Sequence, residues 1–301
     1  MRLVTFSLPD GPPRLGAEVD GHLVDLTALS AEENVNLPQD LLSLIRAGDF
    51  GLHTTQVLLS RRTLESLRPH VRDRDEIVPH APFRPGKIIG VGLNYVEHIA
   101  ESGRALGTGE ERPPRPVLFS KPGTAITGPG DPIHHNGDLT SQLDWECELA
   151  VVIGRTARRV SEADAWEHVF GFSIINDISA RDQRRSGQWF FSKGQDTYAP
   201  FGPVVVTRDA VPCPPELDLS LRVNGEVKQK SNTRHMLFPI PRLIADISSG
   251  VMLEPGDVIA TGSPAGVGAG LNPPQFLRPG DLVEATIESI GTLTNPVVDA
   301  R

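Results

Sequence analysis

The stretch from Leu143 to Gly154, LDWECELAVVIG, constrains this chain more than any other. Glu146 and Glu148 flank Cys147 and run directly into the apolar segment LAVVIG. On a β-strand, residues two apart point to the same face, so the two carboxylates would stand side by side. Burying an ionised carboxylate without a partner is costly. Two arrangements escape that cost. The strand can be an edge whose charges face water, a common pattern, or a cation can lie between the carboxylates. The flanking LAVVIG is too apolar for an edge facing water, and hard divalent ions take oxygen ligands.

A third acid in similar surroundings supports the second arrangement. In VFGFSIINDISARDQR, Asp177 follows an apolar run and precedes Ile178. Three inward carboxylates suit Mg²⁺ or Mn²⁺ better than zinc, because no histidine or cysteine pair accompanies them. Cys147 points away from the glutamates and reads as a small core residue. Asn176 is expected to serve the backbone, and Asp182 to pair with Arg181.

Other segments carry chemistry less distinctly. In GVGLNYVEHIAESG, His98 and Glu101 are three apart, neighbours on one helix face. A carboxylate beside an imidazole orients it and raises its basicity, as a general base requires. The same pattern also decorates ordinary surface helices. Gly90 and Gly92 suggest a loop entering a short helix, the build of a lid. Lys193, in GQWFFSKGQDTYAPFGP, sits among aromatics, so it either reaches out to water or holds an anion inside a site. EPGDVIATGSPAGVGAG ends a strand in a turn whose bare N–H groups suit a carboxylate; a plain connecting loop reads the same way.

The 301 residues allow one large domain or a core domain with a smaller partner. Residues 1–78 read as a small N-terminal α/β unit: strands RLVTFSL and RLGAEVDGHLVDL, the latter with an Asp20-Gly21 hairpin, then helical patterns at LPQDLLSLIRAG and HTTQVLLSRRTLESL. Residues 79–301 are strand-dominated, with a hairpin at Asn224-Gly225 and a helix at PIPRLIADISSG. The fold class is α+β and β-rich. A net charge of −9 without a concentrated basic face argues against nucleic acid. Only two cysteines, no apolar leader and no long apolar span point to a cytoplasmic protein with no membrane partner.

Taken in order, GLNYVEHIAE, LDWECELAVVIG, NDISARD, GQWFFSKGQDTYAPFGP, LRVNGEVKQ, PRLIADIS and TGSPAGVG resemble the fumarylacetoacetate hydrolase family from about Lys87 to the end. The chain departs from the common pattern at Ser192-Lys193-Gly194 and at TGSP, and places Gln183 one residue early. The resemblance implies a mixed β-roll core, a homodimer, and one Mg²⁺ or Mn²⁺ per site held by Glu146, Glu148 and Asp177. Lys193 would lie by metal and substrate, His98 and Glu101 would form the lid dyad that activates water, and Thr261 with Gly262 would hold the substrate carboxylate. The implied reaction is metal-dependent hydrolysis of the C–C bond of a 2,4-dioxo acid, an acylpyruvate or fumarylacetoacetate-like compound, to a pyruvate-type product and a carboxylic acid. The alternative is decarboxylation or isomerisation of a 2-oxo acid on the same site. Arg234 reads as a surface arginine or as the receptor of a second anionic group.

Overall fold

The computed structural model describes residues 1–97 and 112–300, so the expected dyad of His98 and Glu101 lies outside the described residues. The two apolar runs that hold the acids form adjacent antiparallel strands, Cys147–Ile153 and Val169–Asn176, and every residue of both is buried. Burial on both faces explains why these strands read as unbroken apolar runs rather than as an alternation.

One face carries Leu149, Val151 and Ile153, with Phe172 and Ile174 from the neighbour; these pack into a core shared with Leu219, Leu221, Val283, Ala285 and Leu293. Those partners belong to a second, five-stranded sheet that includes Asp218–Val223, Leu282–Ile287 and Gly291–Asp299. The opposite face carries Ala150, Val152 and Ile175, which join a core with Leu26, Leu29, Leu41, Leu44 and Ile45 from the N-terminal helices. The architecture is α+β and strand-rich, two main sheets and a two-stranded ladder among the described residues, with helices on the far side of the larger sheet.

The larger sheet is mixed. Cys147–Ile153 is flanked on its other side by Val258–Ala260, which runs parallel to Ile88–Gly92, and the edge beyond is Val117–Lys121. At the opposite end the N-terminal strand Arg2–Ser7 pairs with Ala199–Thr207, Leu3 opposite Val205, so the hydrogen-bonded sheet crosses the boundary expected near residue 78.

Local chemistry explains the turns. Asp20 and Gly21 both take positive φ between Arg14–Val19 and His22–Asp25, as do Asn224 and Gly225 between Asp218–Val223 and Glu226–Asn232. Primed hairpin turns need these residue types. The helix Ile240–Ser248 forms where its pattern predicts. The N-terminal helical patterns resolve into Leu41–Arg46, Gly48–Ser60 and Leu64–Leu67. A further helix, Leu26–Glu32, was not anticipated; Asp25 caps it by accepting from the Ala28 amide at 2.9 Å. Among the described residues no helix is long and apolar enough to cross a membrane.

Candidate metal centre

Strand register assembles the site. Cys147 pairs with Asn176 and Glu148 with Ile175, and the Asp177 amide continues the ladder by donating to the Glu146 carbonyl at 2.8 Å. Glu146 therefore stands across from Asp177, with Glu148 two residues along the same face. One carboxylate oxygen from each of the three lies within 4.8 Å of the others, and all three residues are buried. On the reverse face Cys147 joins the core between the sheets, and the Asn176 side chain accepts from the Glu146 amide at 3.0 Å.

Cations are bonded into this cluster. Lys193, 2% exposed, closes the short helix Phe190–Lys193; its Nζ donates to Glu146 Oε2 at 3.0 Å, to Asp177 Oδ2, and to the Ser179 hydroxyl at 2.9 Å. Lys121 donates to Asp177 Oδ1 and to the Ile178 carbonyl at 3.1 Å. Arg181 places Nη2 2.6 Å from Glu146 Oε1 and Nε 2.8 Å from Asp144 Oδ2. Asp182, expected to pair with Arg181, accepts instead from the Thr140 hydroxyl at 2.6 Å and the Ser141 amide at 2.9 Å.

The sequence does not single out Lys121 and Asp144, and it sets Arg181 beside Asp182 rather than in this cluster. A signal for Lys121 did exist. It closes the strand Val117–Lys121, whose side chains alternate with Leu118 and Ser120 outward, so Lys121 shares the inner face with Phe119. Asp144 ends the short buried strand Leu143–Asp144, and only tertiary contact reveals the amides of Gly268 and Ala269 donating to it at 2.6 and 3.0 Å.

Glu148 differs from its neighbours. It is 1% exposed, forms no ion pair among the described residues, and accepts from the Gly262 amide at 2.9 Å. Burial holds its carboxyl well above the usual carboxylate range; the negative charges of Asp177 and Glu146 add to this, while Lys193 and the Gly262 N–H oppose it. A buried oxygen-only cluster with one uncompensated carboxylate fits a hard divalent cation, which would supply the missing positive charge.

The turn after Val258–Ala260 serves this carboxylate. The Thr261 hydroxyl and amide are directed at the Leu149 carbonyl, at 2.9 and 3.1 Å, and Gly262 faces Glu148. Gly262 has φ +96°, and a Cβ there would lie 2.6 Å from the Asn94 Cβ. Asn94 is fully buried and ties the same turn to the segment between Glu226–Asn232 and Ile240–Ser248, donating to the Thr261 carbonyl at 2.7 Å and accepting from the Phe238 amide at 2.8 Å.

Aromatic rings cover the lysine. Its Nζ lies 4.7 Å from the Phe119 ring centroid and 5.9 Å from that of Trp189. The two rings are 5.4 Å apart, and both sit where glycine leaves room: a Cβ on Gly90 would strike Phe119 at 2.1 Å, and one on Gly92 would strike Trp189 at 2.4 Å. Gln183 accepts from Arg185 at 3.1 Å and donates to the Leu139 carbonyl, and Arg234 is half-exposed, 3.6 Å from Glu216.

The chain is similar to known proteins over nearly all of its length. The family described as Fumarylacetoacetate (FAA) hydrolase C-terminal matches residues 87–298. The oxaloacetate tautomerase YisK of Bacillus subtilis is 43% identical over 266 residues, 87% of each chain. Among solved structures, a fumarylacetoacetate hydrolase from Exiguobacterium antarcticum superposes with a TM-score of 0.82 at 40% identity, covering 99% of both chains. A maleylpyruvate hydrolase from Sphingobium sp. SYK-6, in complex with manganese(II) ion and pyruvate, gives 0.76 at 32% identity over the whole of both chains.

Proposed function

Because this chain belongs to the fumarylacetoacetate hydrolase family, we propose that it is a divalent-metal enzyme interconverting the enol and keto forms of a 2-oxo acid of the oxaloacetate type. The observation that carries this reading is Lys193, a buried ammonium bonded to two of the three clustered carboxylates. Tautomerisation needs a proton donor and acceptor beside a centre that stabilises negative charge on oxygen, a pairing that Lys193 and the carboxylate cluster would supply. The similarity to an oxaloacetate tautomerase supports the choice of reaction.

Glu146, Glu148 and Asp177 would hold the ion, Mg²⁺ or Mn²⁺; the all-oxygen donors and the manganese of the Sphingobium relative support this pair. When bound, the ion supplies Lewis-acid polarisation of a 2-oxo carbonyl and offsets charge on its oxygen. The protein does the rest. Lys193 Nζ, as the ammonium, would deliver a proton to C3 while the enol hydroxyl gives its own proton to water, which recharges the amine. In reverse the neutral amine would take the proton from C3 and water would return one to the oxygen. Ser179 fixes the ammonium at 2.9 Å, while Phe119 and Trp189 keep bulk water from it. Lys121 and Arg181 hold Asp177 and Glu146 in place, and the Gly262 amide aims Glu148.

Hydrolysis of a 2,4-dioxo acid is the second reading, favoured by the His98–Glu101 spacing and by the maleylpyruvate hydrolase likeness. It requires an activated water, which that dyad would supply. The apolar edge at Leu118, Phe190 and Val251, all exposed, supports a homodimer as the assembled form.

The test is nuclear magnetic resonance of C3 deuterium exchange, with products weighed by mass, for oxaloacetate and an acylpyruvate under Mg²⁺ or Mn²⁺. Exchange without fragmentation, lost on chelation and restored by metal, is the expected result. Lys193→Met should bind Mn²⁺ yet lose on the order of 100-fold or more in exchange rate. Exchange that survives exhaustive chelation sinks the proposal, and two carboxylic fragments from the acylpyruvate would establish the hydrolytic reading in its place.

A further inference from the structure

We propose that Arg184 recognises a second carboxylate on the substrate, remote from the 2-oxo group, and thereby selects dicarboxylic over monocarboxylic 2-oxo acids. This rests on the reading of the metal centre as a 2-oxo acid site.

Arg184 lies in the short turn between Arg181–Gln183 and Arg185–Gly187, and its guanidinium carbon stacks 4.6 Å from the Trp189 ring centroid. That indole is not free to move away. It packs on Phe119 and fills the space over Gly92, and it is the same ring that lies 5.9 Å from Lys193 Nζ. Arg184 therefore stands on the wall that encloses the reacting lysine.

Arg184 has an unmet donor among the described residues. Its Nε is buried and forms no hydrogen bond among the described residues, and it has no ion pair there. Its neighbours are already engaged: Arg181 with Asp144 and Glu146, Arg185 over the Phe191 ring at 3.9 Å and on Gln183. Stacking on an indole satisfies the face of a guanidinium and leaves its N–H edge unfilled. Burial and the positive charge of Arg181 pull its pKa below the usual arginine value, while Glu146, Asp177 and Asp144 act from the cluster in the opposite sense. A guanidinium whose Nε–H edge is unfilled is matched by a carboxylate, which accepts in its plane through two oxygens. Arg234, the other arginine considered for such a role, is half-exposed and paired to Glu216.

Two substrates isolate the contact. Oxaloacetate and 2-oxobutanoate share a four-carbon skeleton and differ in bearing a carboxylate or a methyl at the remote end. C3 exchange of each is followed in the Mn²⁺-loaded wild type, in Arg184→Met and in Arg184→Lys. In Arg184→Met, KM for oxaloacetate should rise roughly ten- to hundredfold more than KM for 2-oxobutanoate, as expected for losing one charge-assisted contact. Arg184→Lys should recover part of that preference, since the charge returns without the fork. Equal changes in both KM values in an active enzyme overturn the assignment of Arg184 alone. A wild type that binds Mn²⁺ but exchanges neither acid overturns the reaction first, and this assignment with it.

Discussion

Two buried carboxylates in this molecule meet opposite fates. Asp25 ends the strand His22–Asp25, fully buried, with Arg14 at 2.9 Å, Arg72 at 3.3 Å and the Ala28 amide at 2.9 Å all bonded to it. Strand pairing places those arginines on either side, and the charge is closed within the fold. Glu148 is as deeply buried, yet its nearest charged neighbours include two more carboxylates, and a backbone amide is its hydrogen-bond donor. A carboxylate neutralised by fixed cations is architecture. One left beside like charges is a candidate cation ligand, and that difference points to function.

The comparison can be broken by exchanging losses. Glu148→Gln should abolish tight binding of Mn²⁺ or Mg²⁺ and all metal-dependent exchange, while raising the melting temperature of the metal-free protein, because it removes an uncompensated buried charge. Calorimetric titration and thermal unfolding read both; a variant that still binds one tight dication removes Glu148 from the ligand set. Asp25→Ala should do the reverse, costing about 3 kcal/mol in urea unfolding, since two partly buried arginines lose their acceptor, while metal affinity holds. Loss of metal affinity there would erase the distinction between the two regions.

Smaller effects sharpen it. Saturating metal at about 100 times its dissociation constant should stabilise the wild type by roughly 2.7 kcal/mol, and Glu148→Gln by nothing measurable. The pH dependence has a definite sign. Glu148 is held above its unfolded value, so the native metal-free protein binds more protons than the unfolded chain across that interval. Metal-free stability is therefore present below the unfolded carboxylate value of about 4.3 and falls as pH rises toward the native one. Metal affinity should climb over the same interval as the dication displaces the proton, and a titration series at rising pH that shows flat affinity would refute this. Least of all, Gly92→Ala should displace the Trp189 ring, costing about 1–3 kcal/mol, with Trp189 fluorescence as the reporter.

Much of the site was legible one segment at a time. The parity of Glu146 and Glu148 on a strand, and an aspartate closing a second apolar run, are local facts that survive folding because strand geometry is regular. Lys193 stood out as a lysine among aromatics. Lys121 and Asp144 were harder, since their partners are 56 and 124 residues away in the chain. Thr261 and Gly262 were expected at the substrate; the structure shows their donors on Leu149 and Glu148. The helix Leu26–Glu32 is only seven residues long, too short to show a helical period, and its start is decided by the Asp25 cap.

By itself, the order of residues settled the strand-rich fold class, the hairpins at Asp20-Gly21 and Asn224-Gly225, and three acids too apolar in setting to be solvated. Those follow from periodicity, turn chemistry and the cost of burying charge. Tertiary structure alone decided that the acids meet, through the register that sets Glu146 opposite Asp177. It also decided which cations are consumed there and that Arg184 keeps a donor unfilled among the described residues, because contacts between distant segments depend on how sheets pair and curve, which no local window of sequence encodes.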